Sequence, residues 1–555
     1  MTDYRKKFIP GENKTLFSEL HNELNALMMS SPEQNRLENK LHNGTVTADV
    51  FNIRDEGDDA IVKELLLQLC SGAPNWNSKN FHYNVGAPVN CLSFFAYSFA
   101  LSHNIFTIND GLSGNALIAE KAVVKNLKQL ANVDELIGWF TFGGTGTNLY
   151  AAKVGLKKSS PETTRQGVDS NTVFLTTKNS HFSHFVAADW LGIGTDNVVH
   201  IKSNEDGTTS LEDFCHLMEQ LITQGKKIGC IYLNGGTSYN HVIDEIKDFS
   251  FARDSLVRKH NLTYSPHIHV DSVIGWFWLF FSGYDFSANE LNINARVLPK
   301  IRFQYEKIIQ LKYADSWGVD FHKGIGGCPV DSSVFLLNRE SDKNYLSKKR
   351  DCSIKMHQIA EEFSVDSPVD FTLENSRSAG PMLSALTSLL STGKNGFRKY
   401  LITLVSVADR LRELLSGYED FCLCDSYGQG FVIMLRCYPP EFRTKRNMSS
   451  CEVFEIKGKT HVDDIERINA YNNGLFRFFI SKRKNIEFSY STSFLSTENG
   501  ASIHAMKIYL MSPFLEEKDA KRIVDFIITE KRHYDEMIDG KKRTSMNFSG
   551  KIPTT

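Results

Sequence analysis

The chain has 555 residues, 63 basic and 65 acidic side chains, a formal net charge of −2 and 41% hydrophobic residues. That balance excludes the basic excess of a nucleic-acid binder and the low-hydrophobicity composition of a disordered chain. Its length allows several domains and a large buried core. The 10 cysteines include no CxxC pair, which argues against a disulfide scaffold, a zinc ribbon or any other metal site and for reduced thiols. The polar start, Met-Thr-Asp-Tyr-Arg-Lys-Lys, is followed by no signal-peptide core. The most apolar run, Val273 to Phe281, is far shorter than the ~20 residues that span a bilayer. A cytoplasmic protein without a membrane or nucleic-acid partner is expected.

In chain order, residues 1–85 read as a polar helical arm, with apolar residues at helical spacing around Glu19 to Met28. A helix is predicted over Ala116 to Leu130. A strand from Leu136 to Phe142, a glycine turn and a helix from Asn148 follow. Further strands are predicted at Thr172–Leu175, Lys227–Leu233, Ile268–Val270 and Ser333–Leu337, with helical stretches between most of them. Such alternation defines an α/β layer with a mainly parallel sheet. Residues 338–372 are charged and aperiodic, and Lys348-Lys349-Arg350 reads as a solvated loop. A helix over Pro381 to Leu390 opens a region with a strand at Gly430–Leu435 and a helix from Glu517 to Thr529. The expected domains are the arm, a large domain over 86–375 and a smaller α+β domain over 376–555.

Three segments carry chemistry. Gly143-Gly144-Thr145-Gly146 joins a strand to a helix start, where free N–H groups and the helix dipole favour an anion. It is neither a Walker loop nor GxGxxG, and alone it reads equally well as an ordinary turn. His267-Ile268-His269-Val270-Asp271 is a strand ending in an acid, which places a carboxylate at the sheet edge where ligands bind. Val319-Asp320-Phe321-His322-Lys323-Gly324 carries a lysine into a glycine-rich turn, and a confined lysine can serve as a Schiff-base amine. Each is weak alone. Their order is the stronger signal, because pyridoxal phosphate requires phosphate donors, a carboxylate at its ring nitrogen and a lysine at its aldehyde.

The chain resembles the group II pyridoxal-phosphate-dependent amino acid decarboxylases, the glutamate, tyrosine and aromatic-amino-acid group, over roughly residues 80 to 535 by motif order. The resemblance implies the aspartate-aminotransferase fold, fold type I, with pyridoxal 5'-phosphate bound in the 86–375 domain. It implies a homodimer and decarboxylation of an L-amino acid to its amine through a Schiff base on Lys323. By the same resemblance, His322 contacts the phosphate, Asp271 partners the ring nitrogen, and His181 of Asn179-Ser180-His181-Phe182-Ser183-His184 stacks on the ring. Gly144, Thr145 and Gly146 match the phosphate turn, Thr237 of Asn234-Gly235-Gly236-Thr237 a turn beside the cofactor, and Ser113 to Glu120 a helix start. Arg377 of Ser376-Arg377 matches an arginine that holds a substrate carboxylate, and Tyr345 a loop tyrosine that protonates the reacting carbon.

The sequence departs from the family at Ser272, Val273 and Gly324, and this bears on the substrate. Phe81-His82-Tyr83-Asn84 could line an aromatic pocket, and the Trp276–Phe281 run could form a subunit contact or fill the core. The alternatives are a carbon–carbon lyase or aminotransferase of the same fold, and a catalytically silent paralogue acting as a dimerisation or regulatory partner. The presence of both Lys323 and Asp271 weighs against the last.

Overall fold

A computed structural model describes residues 69–548, apart from 71, 178, 349–366, 425–427, 443–453, 456, 458–459 and 483–485, together with 18, 22, 26 and 36. The expected helix around Glu19 to Met28, apart from Asn22 and Ala26, and the basic loop beyond Lys348 lie outside the described residues.

The chain packs into two units. The larger holds 85–409 and 425–433, and the smaller holds the described residues of 1–84, 410–424 and 434–555. The boundary expected at 376 therefore falls after Asp409. The helix predicted over Pro381 to Leu390 runs from Gly380 to Ser416, interrupted at Gly393, which has φ 64°. It is buried at Met382 and Ala385 before the break and at Phe397 and Leu401 after it.

The large unit is built on seven strands, β1 (Ile137–Thr141), β2 (Thr172–Thr177), β3 (Val198–Ile201), β4 (Lys227–Asn234), β5 (His267–Asp271), β6 (Ser316–Asp320) and β7 (Ser333–Leu337). Their order is β1-β7-β6-β5-β4-β2-β3. Only β7 runs antiparallel to its neighbours. The sheet is thus mainly parallel, as expected, and its strands are buried almost throughout, as sheets covered on both faces require. The carboxyl ends of the parallel strands bring Thr141, Asn234, Asp271 and Asp320 to one edge. Strand β3 has no counterpart in the sequence reading, because four residues of mixed polarity, VVHI, carry too short a pattern.

Local chemistry explains the flanking elements. The helix Ala116–Ala131 buries Leu117, Val123, Val124, Leu127 and Leu130 along one face and stops at Asn132 in the left-handed region. The apolar run forms a 3-10 segment, Gly275–Phe281, buried at every residue. It fills the core: Phe280 stacks on Phe397 at 4.0 Å, and Trp276 Nε1 donates to the Asp320 carbonyl at 3.2 Å. Each such side chain contributes about 2 kcal/mol by burial, and Trp276 also ties the core to the end of β6.

A five-stranded sheet, in the smaller unit except for the first two residues of Val432–Cys437, has the order Phe81–His82, Glu487–Ser496, Ser502–Tyr509, Val432–Cys437, Phe421–Leu423. The helices Val462–Ser481 and Glu517–Phe548 belong to the same unit, giving the expected α+β character. Phe81 and His82 do not line a pocket. They are buried as a short strand parallel to Glu487 and Phe488, with the His82 ring stacked on Phe488. Among the described residues no helix is long and apolar enough to cross a membrane.

Candidate active site

The glycine turn after β1 opens the helix Gly144–Ser159. Gly143 has φ 101°, a conformation that favours glycine. Thr147 donates its hydroxyl to the Gly144 carbonyl at 2.7 Å and closes the first turn. The N–H groups of Gly144, Thr145 and Gly146 head the helix, where no preceding turn supplies acceptors. Gly144 is also a spacing device. A β-carbon there would lie 2.9 Å from Asp320 Oδ2, 3.1 Å from Val273 and 3.3 Å from Lys323 Nζ. The turn and the lysine are therefore adjacent.

Lys323 stands on the turn after β6. Gly324, at φ +58°, has no room for a side chain, because a β-carbon would meet the Phe277 ring at 2.5 Å. Lys323 Nζ pairs with Asp320 Oδ2 at 2.7 Å, and that carboxylate is fully buried. Burial alone would lower the amine's pKa, but the Asp320 charge, its hydrogen bond and the charge of Asp271 hold it above the ordinary lysine value. His322 Nε2 lies 3.6 Å from the same carboxylate oxygen, and burial lowers its pKa against the pull of Asp320.

Asp271 closes β5. Asn148, one turn into the Gly144 helix, donates to its Oδ2 at 2.9 Å, and His184 Nε2 lies 3.6 Å from the same atom. Oδ1 is buried without a hydrogen-bond partner. Burial would raise this carboxyl, but His184, His181 and Asn148 hold it well below the usual carboxylate range. It is a buried, ionised acid with one oxygen open.

His181 sits on the loop before the short helix Ser183–Trp190, and its ring Nδ1 meets Ser183 Oγ at 2.8 Å in a part-buried contact. Burial within the loop lowers its pKa, partly offset by Asp271, while Lys323 and His184 push the same way as burial. Ser183 Oγ also accepts from Asn148, so His181, Ser183, Asn148 and Asp271 form one connected set.

Lys323, His322, Asp271, His181, Gly144 and Gly146 thus converge on one sheet edge, and Thr145 is exposed on the same turn. Thr237 lies on the turn after β4 with its hydroxyl engaged by Asn240 at 2.6 Å and by the Val242 N–H at 3.2 Å.

Two residues stand apart from the positions their expected roles suggest. The Arg377 fork is occupied within the chain. It is buried, with Nη1 and Nη2 on the Glu120 carboxylate at 2.5 and 3.1 Å and Nη1 also on the Phe140 carbonyl. Within the chain, Tyr345 lies away from Lys323. Because β7 runs antiparallel, it returns the chain to the opposite edge of the sheet, where Tyr345 ends a 3-10 turn. Lys158 pairs there with Asp342 at 2.6 Å, and its Nζ lies 5.6 Å from the Tyr345 ring centre. Lys158 is fourteen residues along the helix from Gly144, about 20 Å at the helical rise.

Sequence reasoning missed Asn148, Ser183, His184 and Asp320. The signal was present as spacing: Asn148 is one turn beyond Gly144, His184 is three residues after His181, and Asp320 is three before Lys323.

No protein-family model matches the chain. Among curated proteins, the acidic amino acid decarboxylase GADL1 of Xenopus tropicalis is 29% identical over 237 residues, 40% of this chain and 43% of that one. Human GADL1 is 26% identical over 237 residues, 40% of this chain and 42% of that one. The match thus spans less than half the length of these curated relatives. Among solved structures, mouse CSAD aligns with a TM-score of 0.74 at 16% identity, over 93% of this chain and 99% of that one. Oryza sativa TDC, solved with PLP and tryptamine, aligns at 0.75 with 13% identity, over 95% and 99%. Architecture and structural likeness together define a fold-type-I protein, with a mainly parallel central sheet and a smaller α+β domain. Over those 237 residues the chain is similar in sequence to proteins named acidic amino acid decarboxylase.

Proposed function

We propose that the chain is an amino acid decarboxylase that uses pyridoxal 5'-phosphate. The observation that carries this reading is the pairing of an ionised, buried Asp271 that has an open Oδ1 with a lysine beside a glycine-headed helix. The donor set fits the cofactor. The N–H groups of Gly144, Thr145 and Gly146, with His322, would hold the phosphate, and Lys323 would take the aldehyde. Asp271 Oδ1 would meet the ring nitrogen, and the His181 ring would lie against the heterocycle. Thr237 would support this edge through its turn. When bound, the cofactor supplies an electron sink for the bond that loses carbon dioxide.

The chain's own contribution is electrostatic and geometric. Asp271, kept ionised, holds a proton at the heterocyclic nitrogen. Lys323 supplies the amine, and Asp320 holds a proton there until a carbonyl arrives. The GADL1 relatives bear the name acidic amino acid decarboxylase, so acidic L-amino acids are the first substrates to test. Arg377, with its fork on Glu120, is not the carboxylate holder in this reading.

A homodimer is part of the proposal. Leu92, Phe95 and Phe99 stand exposed on one face of the helix Cys91–Ser102, a stripe suited to burial against a second copy. Buried reduced thiols at Cys230, Cys328 and Cys437 suit a reducing, cytoplasmic setting.

The test is reconstitution of the purified protein with pyridoxal 5'-phosphate, followed by borohydride reduction and peptide mapping. Label on Lys323, with carbon dioxide released from one member of an amino acid panel, is the expected result. A protein that takes up no cofactor refutes the reading, and cofactor uptake with cleavage of a carbon–carbon bond but no carbon dioxide favours the lyase alternative.

A further inference from the structure

His184 has no part in the reading above, yet its surroundings fix it as tightly as any site residue. It is fully buried on the helix Ser183–Trp190. Its ring lies flat on Tyr232 of β4, with centroids 3.9 Å apart and planes 10° apart. Its Nδ1 lies 2.8 Å from Thr176 Oγ1 on β2, and its Nε2 faces Asp271 Oδ2 at 3.6 Å. Two strands and the helix therefore hold one imidazole edge toward one carboxylate oxygen.

The tautomer follows from the partners. A carboxylate accepts only, so the nitrogen facing Asp271 is the one that carries hydrogen, and the Thr176 hydroxyl serves Nδ1 from the other side. Asn148 donates to the same Oδ2. The Asn148 hydrogen bond therefore falls on Oδ2, the His184 Nε2, buried and making no hydrogen bond at 3.6 Å, is aimed at the same atom, and Oδ1 is left bare. The other charged or titratable groups within reach of Asp271 are His181 on the loop before the helix, Tyr232 on β4, Lys323 after β6 and His269 on β5 itself.

We propose that His184 is a positioning residue that presents its Nε2 hydrogen to Oδ2 of Asp271, reserves Oδ1 for the ring nitrogen of the cofactor and keeps the shared proton on that nitrogen. This rests on the cofactor reading above. The physical logic is a competition for one proton. Donors on the carboxylate stabilise its ionised form and leave the proton on nitrogen. Without them, a buried carboxyl takes the proton itself.

The experiment uses holoenzyme loaded with pyridoxal 5'-phosphate labelled with 15N in the ring, read by solid-state NMR, with cofactor affinity measured separately. His184→Phe keeps the ring on Tyr232 and removes the donor. His184→Gln places an amide donor near the position of Nε2. In His184→Phe the ring-nitrogen resonance should move toward the unprotonated range, and the dissociation constant should rise about tenfold, the size of one hydrogen bond to a charged group. His184→Gln should return both toward wild type. Should His184→Phe fail to fold, Thr176→Val, which frees the ring to turn, should show the same shift to a smaller degree. A wild-type resonance in a folded His184→Phe or Thr176→Val holoenzyme overturns the inference while leaving the cofactor reading intact. A wild-type protein that takes up no cofactor overturns both.

Discussion

The Lys323 amine and the Asp320 carboxylate form an ion pair, Nζ to Oδ2 at 2.7 Å, three residues apart on the turn that leaves β6. The pair holds the amine's proton above the pH at which a free lysine would lose it. Only the neutral amine attacks a carbonyl, so capture of pyridoxal phosphate should quicken as pH rises toward that raised value. In Asp320→Asn the amine is desolvated without its partner and loses its proton more readily. The profile of capture rate against pH should then shift to lower pH. Superimposable profiles for the two proteins would show that Asp320 does not control the amine.

Arg377 and Glu120 make the second test. Both side chains are nearly fully buried, and the contact is bidentate. Removing one partner leaves the other charge buried alone, a loss of about 3–5 kcal/mol. Arg377→Ala and Glu120→Gln should therefore both lower the midpoint of urea unfolding by comparable amounts. If Arg377→Ala instead kept wild-type stability and lost only substrate affinity, the substrate role expected from the sequence would be restored.

The contrast between these residues shows what was legible in the sequence. The strands β1, β4, β5 and β7 could be read because continuous apolar runs between turns mark buried parallel strands, and Lys323 and Asp271 because their chemistry is tied to strand ends. The partner of Arg377 could not be read because a motif specifies a residue type, while the side chain that occupies its fork, Glu120, lies 257 positions away. The position of Tyr345 could not be read for a topological reason: the direction of β7, invisible in the local pattern, decides which edge of the sheet it reaches. His184 and Asn148 escaped notice because a polar residue one turn from a motif looks like any helix residue until the sheet brings Asp271 beside it.

The placement of Tyr345 has its own consequence. Its ring packs beside Lys158 against the cluster of Trp139, Tyr150 and Phe335, at the edge of the sheet away from Lys323. Tyr345→Phe should leave the ratio of amine to aldehyde product unchanged. Tyr345→Ala should lower stability by about 2 kcal/mol or more through lost burial, seen as an earlier thermal midpoint. A changed product ratio in Tyr345→Phe would contradict its position here.

Gly144 tests the geometry of the turn. A β-carbon there would lie 2.9 Å from Asp320 Oδ2 and 3.3 Å from Lys323 Nζ. Gly144→Ala must displace either the ion pair or the helix start, and the space for a bound group shrinks with it. The variant should fold, since its neighbours include the far end of a flexible lysine, but cofactor affinity should fall by at least tenfold. Equilibrium titration with pyridoxal phosphate measures this, and wild-type affinity in Gly144→Ala would mean that the cofactor does not approach this turn.

Acid sensitivity follows from three histidines outside the contacts proposed for the cofactor. Burial pushes His82 and His269 down to about 3 and His267 well below its ordinary value, so all three are neutral in the folded chain. In the unfolded chain each takes up a proton near the ordinary histidine value. As pH falls through that value the unfolded state binds protons the folded state refuses, and stability drops by about 1.4 kcal/mol per pH unit for each histidine. For His82 and His269 the loss continues until about pH 3, where the folded chain also protonates. The carboxyls of Asp271 and Asp315, both held below the usual range, add to the loss only below the ordinary carboxylate value. Urea unfolding at pH 7.5, 6 and 5 should therefore show stability falling well before any carboxylate titrates. His82→Phe separates this cause from others, because it removes one titrating group while keeping a ring against Phe488. Its stability should decline less steeply with falling pH than that of wild type, by about 1.4 kcal/mol per pH unit for the smaller unit that contains it. Parallel declines would show that His82 is not neutral in the fold, or that the smaller unit does not unfold in the transition observed by the probe. A probe placed within that unit, such as Tyr490 fluorescence against the Phe476 ring it stacks on, decides between the two.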